Sequence, residues 1–104
     1  MRIRRDRRFR ELVERQLDLF ATDEASLLAE AEAADRAWTN ADREEAEERY
    51  GDYQLLVDAI GEALYDLREA YAATLEERTA DEYRAAFDRA ARKRFGRLAS
   101  FLAE

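Results

Sequence analysis

Seven apolar residues in the middle of the chain, Tyr50, Tyr53, Val57, Ile60, Leu64, Leu67 and Tyr71, are separated by 3, 4, 3, 4, 3 and 4 positions. That spacing keeps a narrow stripe on one side of an α-helix and predicts a helix that buries it as a seam against other helices. The same heptad runs through Val13, Leu17, Phe20, Leu27, Ala31, Ala34 and Trp38, with Glu24 as the one polar intruder. A third stripe comprises Phe87, Ala91, Phe95, Leu98 and Leu102, with Tyr83 one turn earlier. No proline occurs in the chain, so no residue forces a helix to break.

The stripes and the turns between them predict an all-α fold. It is an antiparallel up-down-up bundle of three long helices, about residues 3–38, 41–77 and 80–103, with coiled-coil-like heptad packing. Thr39, Asn40, Ala41 and Asp42 read as the first turn, with Asn40 as N-cap. Asp42, Glu44 and Glu45 then stand where the positive end of a helix favours acids. Thr79 and Glu82 have the spacing of a capping box, which starts the third helix. Thr22 could cap a new helix, and a break there would give four helices. The apolar stripe keeps its phase across Thr22, which predicts a continuous or gently kinked helix instead. Gly51 and Gly61 lie inside the second helix, each costing about 1 kcal/mol relative to alanine. Gly51 marks a candidate kink, and Gly61 a place where another backbone can approach closely.

At 1.5 Å per residue the first two helices would be about 54 Å long and the third about 36 Å. The hairpin end near Trp38 would then have two helices with which to form a core, and would expose apolar surface. Leu27, Leu28, Ala34, Trp38, Tyr50 and Tyr53 are therefore the expected contact with another chain, either a second copy in a homodimer or another helical protein. Tyrosine suits such a surface, because the ring can be buried while the hydroxyl stays wet. The plainer reading makes Tyr50, Tyr53 and Tyr71 core residues whose hydroxyls reach solvent.

Composition mainly excludes. A chain of 104 residues is expected to form a single domain, residues 1–104. Charged residues make up 41%, far above the usual quarter, which with regular apolar spacing suggests long helices with solvated faces. Cysteine and histidine are both absent, which removes disulfides, thiolate sites, the commonest general base and the commonest zinc ligand. Without them no catalytic constellation stands out, so no enzyme activity and no cofactor is expected. No apolar run reaches the roughly eighteen residues of a membrane span, and the basic start lacks a signal peptide's apolar core. A cytoplasmic protein is the expectation.

Charge is unevenly spread over a chain whose net value is −7. Arg2, Arg4, Arg5, Arg7, Arg8 and Arg10 face a single acid, Asp6, in the first ten residues. A second basic stretch holds Arg84, Arg89, Arg92, Lys93, Arg94 and Arg97 against Asp88. Such patches could neutralise phosphates in a small nucleic-acid-associated or regulatory factor using its basic N-terminal arm, but the acidic body would repel the same polyanion. The alternative is pairing within the protein: the first patch with Glu76, Glu77, Asp81 and Glu82, and residues 89–97 with Glu62, Asp66 and Glu69.

The pairs Glu45/Glu48 and Asp66/Glu69 resemble the acidic motifs of helical nucleotide pyrophosphatases that bind magnesium. On one helix the pairs stand about 32 Å apart and cannot share an ion, so no metal is expected. A helical hairpin of about this length with a tryptophan at its bend also resembles the WXG100 family of small secreted proteins. That resemblance would imply a secreted helical hairpin. It covers the hairpin alone and departs from the motif, which here reads Trp38-Thr39-Asn40 without the glycine; the Tyr-x-x-x-acid signal occurs as Tyr65 to Glu69 in mid-helix.

Overall fold

The computed structural model describes residues 8–103, which are predominantly helical with no strand among them. The elements are α1 (Arg10–Asp23), α2 (Ala25–Thr39), α3 (Ala46–Ala72) and α4 (Glu77–Phe95), followed by a 3-10 segment (Gly96–Ala103). The molecule measures 53 × 24 × 21 Å. Among the described residues four α-helices thus stand where three long ones are expected, and each boundary shift has a local cause.

The first stripe is divided at Glu24, with φ −106° and ψ 26°. Thr22 is not the cap: its hydroxyl donates back to the Asp18 carbonyl at 3.1 Å, as a threonine inside a helix does. The hydrogen bonding nevertheless continues across the break. The Glu24 amide reaches the Phe20 carbonyl at 2.8 Å, and the Leu28 amide reaches the Glu24 carbonyl at 3.0 Å. Glu24 occupies the polar position in the stripe, where straight burial would strand a carboxylate; at the kink it is half-exposed. The expected start of this helix near Ile3 lies outside the described residues.

Asn40 ends α2 rather than starting the next helix, its amide bonding to the Arg36 carbonyl at 3.0 Å. Asp42 takes the capping role: its carboxylate accepts the Glu45 amide at 3.1 Å and its carbonyl accepts the Ala46 amide at 3.0 Å. α3 therefore begins at Ala46, not at 41, and runs unbroken through Gly51. Gly61 is buried in the same helix. At its other end α3 stops at Ala72, short of 77. There the Thr74 hydroxyl donates to the Tyr71 carbonyl at 2.7 Å, and Leu75 turns onto the core. Glu76 is extended, and its carboxylate accepts the Arg78 amide at 2.6 Å and the Thr79 hydroxyl at 3.1 Å. Glu76, not Thr79, is the N-cap, so α4 begins at Glu77 rather than 80.

α4 ends at Phe95 instead of continuing to 103. Arg92, Lys93 and Arg94 fill its last turn, and Gly96 follows at φ +56° and ψ −124°, a conformation open mainly to glycine. Past this turn the 3-10 segment, interrupted at the buried Ala99, packs against both α3 and α4.

α1 packs along α4 and α2 packs along α3. Val13, Leu17, Ile60, Leu64, Tyr83 and Phe87 are the largest fully buried side chains. Tyr83 stands at the centre of one end, ringed by Tyr71, Phe9 and Phe87 with centroids 4.8, 5.5 and 6.0 Å away. Its hydroxyl donates to Gln16 Oε1 at 2.8 Å, which satisfies the polar group that its burial would otherwise strand.

Candidate functional site

The hairpin end is built from the last turns of α2 and the first turns of α3. Trp38 stacks on Tyr53, with centroids 5.7 Å apart and planes 15° from parallel, and meets Tyr50 edge-on at 4.8 Å. The three rings have unequal exposure. Tyr53 is buried, Trp38 is half-buried and Tyr50 is 44% exposed. The Tyr50 hydroxyl donates to Gln54 Oε1 at 3.3 Å, and Gln54 Nε2 donates to Asp58 at 2.9 Å. Among the predicted contact residues on α2, Leu27, Leu28, Ala34 and Trp38 are half-buried, and Ala31 is the one residue this helix buries fully.

This end is not left to two helices throughout, as the lengths alone would suggest. Beyond Gly96 the chain comes to the level of α2, where Phe95, Arg97 and Leu98 share the lining of a 200 Å³ hollow with Ala31, Asp35 and Tyr53. Arg97 donates to Asp35 there at 3.0 Å. Trp38 and Tyr50 lie one turn further out.

The predicted basic patches separate into single pairings. Arg2, Arg4, Arg5 and Arg7 lie outside the described residues. Arg8 pairs with Glu82 at 3.7 Å and lies 5.5 Å over the Phe9 ring, while Arg10 pairs with Glu14 at 3.4 Å. Arg94 pairs with Asp18 and covers the Phe95 ring at 5.7 Å. Lys93 borders the same α1–α4 groove as Asp18 and Glu14. Arg89 and Arg92 are exposed on α4 and engaged in interactions of their own. Arg94 and Arg97 thus reach Asp18 and Asp35, on α1 and α2, rather than the expected acids of α3, because α4 lies along α1 and the chain turns at Gly96 towards α2.

The best-buried charges form a network that sequence reading did not single out. Arg68, with 14% of its side chain exposed, donates to both oxygens of Asp88 at 2.8 and 3.1 Å and to Glu69 at 2.9 Å. Arg84 donates twice to Glu69 at 2.9 Å and once to Asp81 at 3.0 Å. Hydrogen bonding from Arg84 holds the Glu69 carboxyl below its usual range, against the opposing effect of burial. Burial pulls the Arg68 guanidinium down, but its bonds to Asp88 and Glu69 outweigh that and leave it raised. The one sequence signal is Arg68 four residues after Leu64, beside the seam and so facing the neighbouring helix. The network ties α3 to α4. Among the described residues no three acidic side chains converge as metal ligands, and Glu69 of the carboxylate pairs is held by arginines.

Burial raises the Tyr83 hydroxyl to about 12. A second groove, about 310 Å³, separates α1 from α3 beside the kink, with the exposed Leu19 on its edge. Among the described residues no helix is long and apolar enough to cross a membrane. No family model matches the chain, and neither a curated protein nor a solved structure does. The likeness to WXG100 proteins therefore rests on the hairpin and Trp38 alone.

Proposed function

We propose that this chain is a non-enzymatic helical protein of the cytoplasm that works through protein–protein association, and that its partner is a second copy of itself. In this reading the heptad seams supply a coiled-coil-like core within each copy, and the hairpin end supplies the contact. The observation that carries it is the half-covered aromatic surface of Trp38 and Tyr50 beside the half-buried stripe of α2. Aromatic rings with wet hydroxyls are enriched at interfaces, and they supply contact area with few rotatable bonds. The competing reading is nucleic-acid binding through the basic arm. Arg8, Arg10, Arg94 and Arg97 already pair with carboxylates of the chain itself, which favours association with protein.

The test is the solution mass by light scattering behind a sizing column at two protein concentrations, with absorbance at 260 nm recorded alongside. A dimer free of nucleic acid, weakened by Trp38→Ala, is the expected result. A monomer at both concentrations sinks the proposal, and excess absorbance at 260 nm transfers it to nucleic acid.

A further inference from the structure

Resting on the self-association just proposed, we infer that the Trp38–Tyr50 surface is the docking site for the arginine-rich N-terminal segment of a second copy, exchanged reciprocally in an antiparallel dimer. The surface has the chemistry for guanidinium groups. Residues 30–52, which carry it, hold nine carboxylates against three arginines, a net −6. On α3, Glu47 and Asp58 flank Tyr50 at helical spacing on one face. Tryptophan offers the strongest ring for a cation, and the chain already sets guanidinium groups 5.1–5.7 Å over Phe9, Tyr65 and Phe95. The complement lies in the same sequence: with Arg8 and Arg10 already paired to Glu82 and Glu14, residues 1–7 still carry four arginines against one aspartate, a net +3.

Reach decides whether this pairing is made within one chain or between two. Phe9 touches Tyr83, and Tyr83 touches Tyr71, so Phe9, next to the arm in sequence, stands beside the C-terminal end of α3. From Tyr71 back to Tyr50 the helix rises about 32 Å. Arg2, Arg4, Arg5 and Arg7 stand within seven residues of Phe9, at most about 25 Å of extended chain. They cannot be laid on their own Trp38–Tyr50 surface. A copy running antiparallel alongside brings its arm to that surface, and the two-fold relation gives each copy one arm and one site, so the contact closes at two.

Trp38 is the sole tryptophan, so its fluorescence reads the surface directly. The decapeptide of residues 1–10 is titrated into the full chain, and a peptide with its arginines replaced by glutamine serves as control. In parallel, light scattering follows the full-length variant Arg4→Glu/Arg5→Glu. Expected are a saturable change in Trp38 emission that the control peptide lacks and added salt abolishes, and a dimer weakened about tenfold by the double reversal. A wild-type dimer that the reversal leaves intact, with Trp38 indifferent to the peptide or equally sensitive to the control, overturns this inference while leaving self-association standing. A wild-type monomer overturns both.

Discussion

Both ends of the molecule are assembled from aromatic residues, yet one is closed and the other open. Around Tyr83, rings from the residue before α1, from α3 and from α4 converge, and Tyr83 and Phe87 are completely buried. Around Trp38 the rings come from α2 and α3, and Tyr50 stays 44% exposed. Closure follows the number of elements that surround a ring, not the number of rings. α4 supplies the third wall at the Tyr83 end. At the opposite end, among the described side chains, the stretch after the turn at Gly96 meets Asp35 and borders a hollow shared with Tyr53.

The sharpest way to break this contrast is to truncate one ring at each end. Phe87→Ala should destabilise by about 3–5 kcal/mol, because it deletes a fully buried ring and leaves a cavity. Trp38→Ala should cost about 2 kcal/mol or less, since part of its ring is already in water. Denaturant unfolding of both variants measures the difference, and equal losses would abolish the distinction between the ends.

A pH series sharpens it next. Tyr83 ionises at 10.0 when freely solvated and at about 12 when buried. Its neutral form thus contributes stability that is complete below pH 10 and declines as pH rises towards 12. Replacing Tyr83 by phenylalanine should flatten that alkaline decline in thermal unfolding. On the acid side Glu69 is depressed below its ordinary 4.5, so its contribution is present above that pH and is lost as the pH falls below it. Glu69→Gln should remove that part of the acid limb.

The smallest effects belong to two exposed glycines. Gly96, at φ +56°, should lose about 1 kcal/mol or more on substitution by alanine, because the turn then carries backbone strain. Gly51 has nothing within 4 Å of an added Cβ, so Gly51→Ala should gain up to about 1 kcal/mol from helix propensity. Thermal melts that showed the opposite signs would mean that the Gly96 turn is not what directs the tail.

The apolar stripes were the most legible part of the chain. Val13, Leu17, Phe20, Ala31, Tyr53, Val57, Ile60, Leu64, Tyr83, Phe87 and Ala91 are buried as their spacing implies, because a helix repeats its faces every three or four residues. The side chain of Leu102 lies outside the described side chains. Caps were less legible. Asn40 and Thr79 have the right chemistry, but Asp42 and Glu76 lie where the backbone leaves amides open. The signal for Gly96 was present, a glycine directly after a basic last turn, and it decided how far α4 reaches along the hairpin.

The sequence by itself determined that this chain is helical, which faces of its helices are apolar, and that its charge divides into an acidic middle and two basic stretches. These are local properties, carried by periodicity and composition. Only the tertiary structure decided that Arg68 meets Asp88, that Arg97 meets Asp35, and that Tyr83 is enclosed while Tyr50 is not. Those outcomes depend on where a kink at Glu24 and a turn at Gly96 send the chain. Small local rotations there are carried along rigid helices, so they set which distant side chains meet.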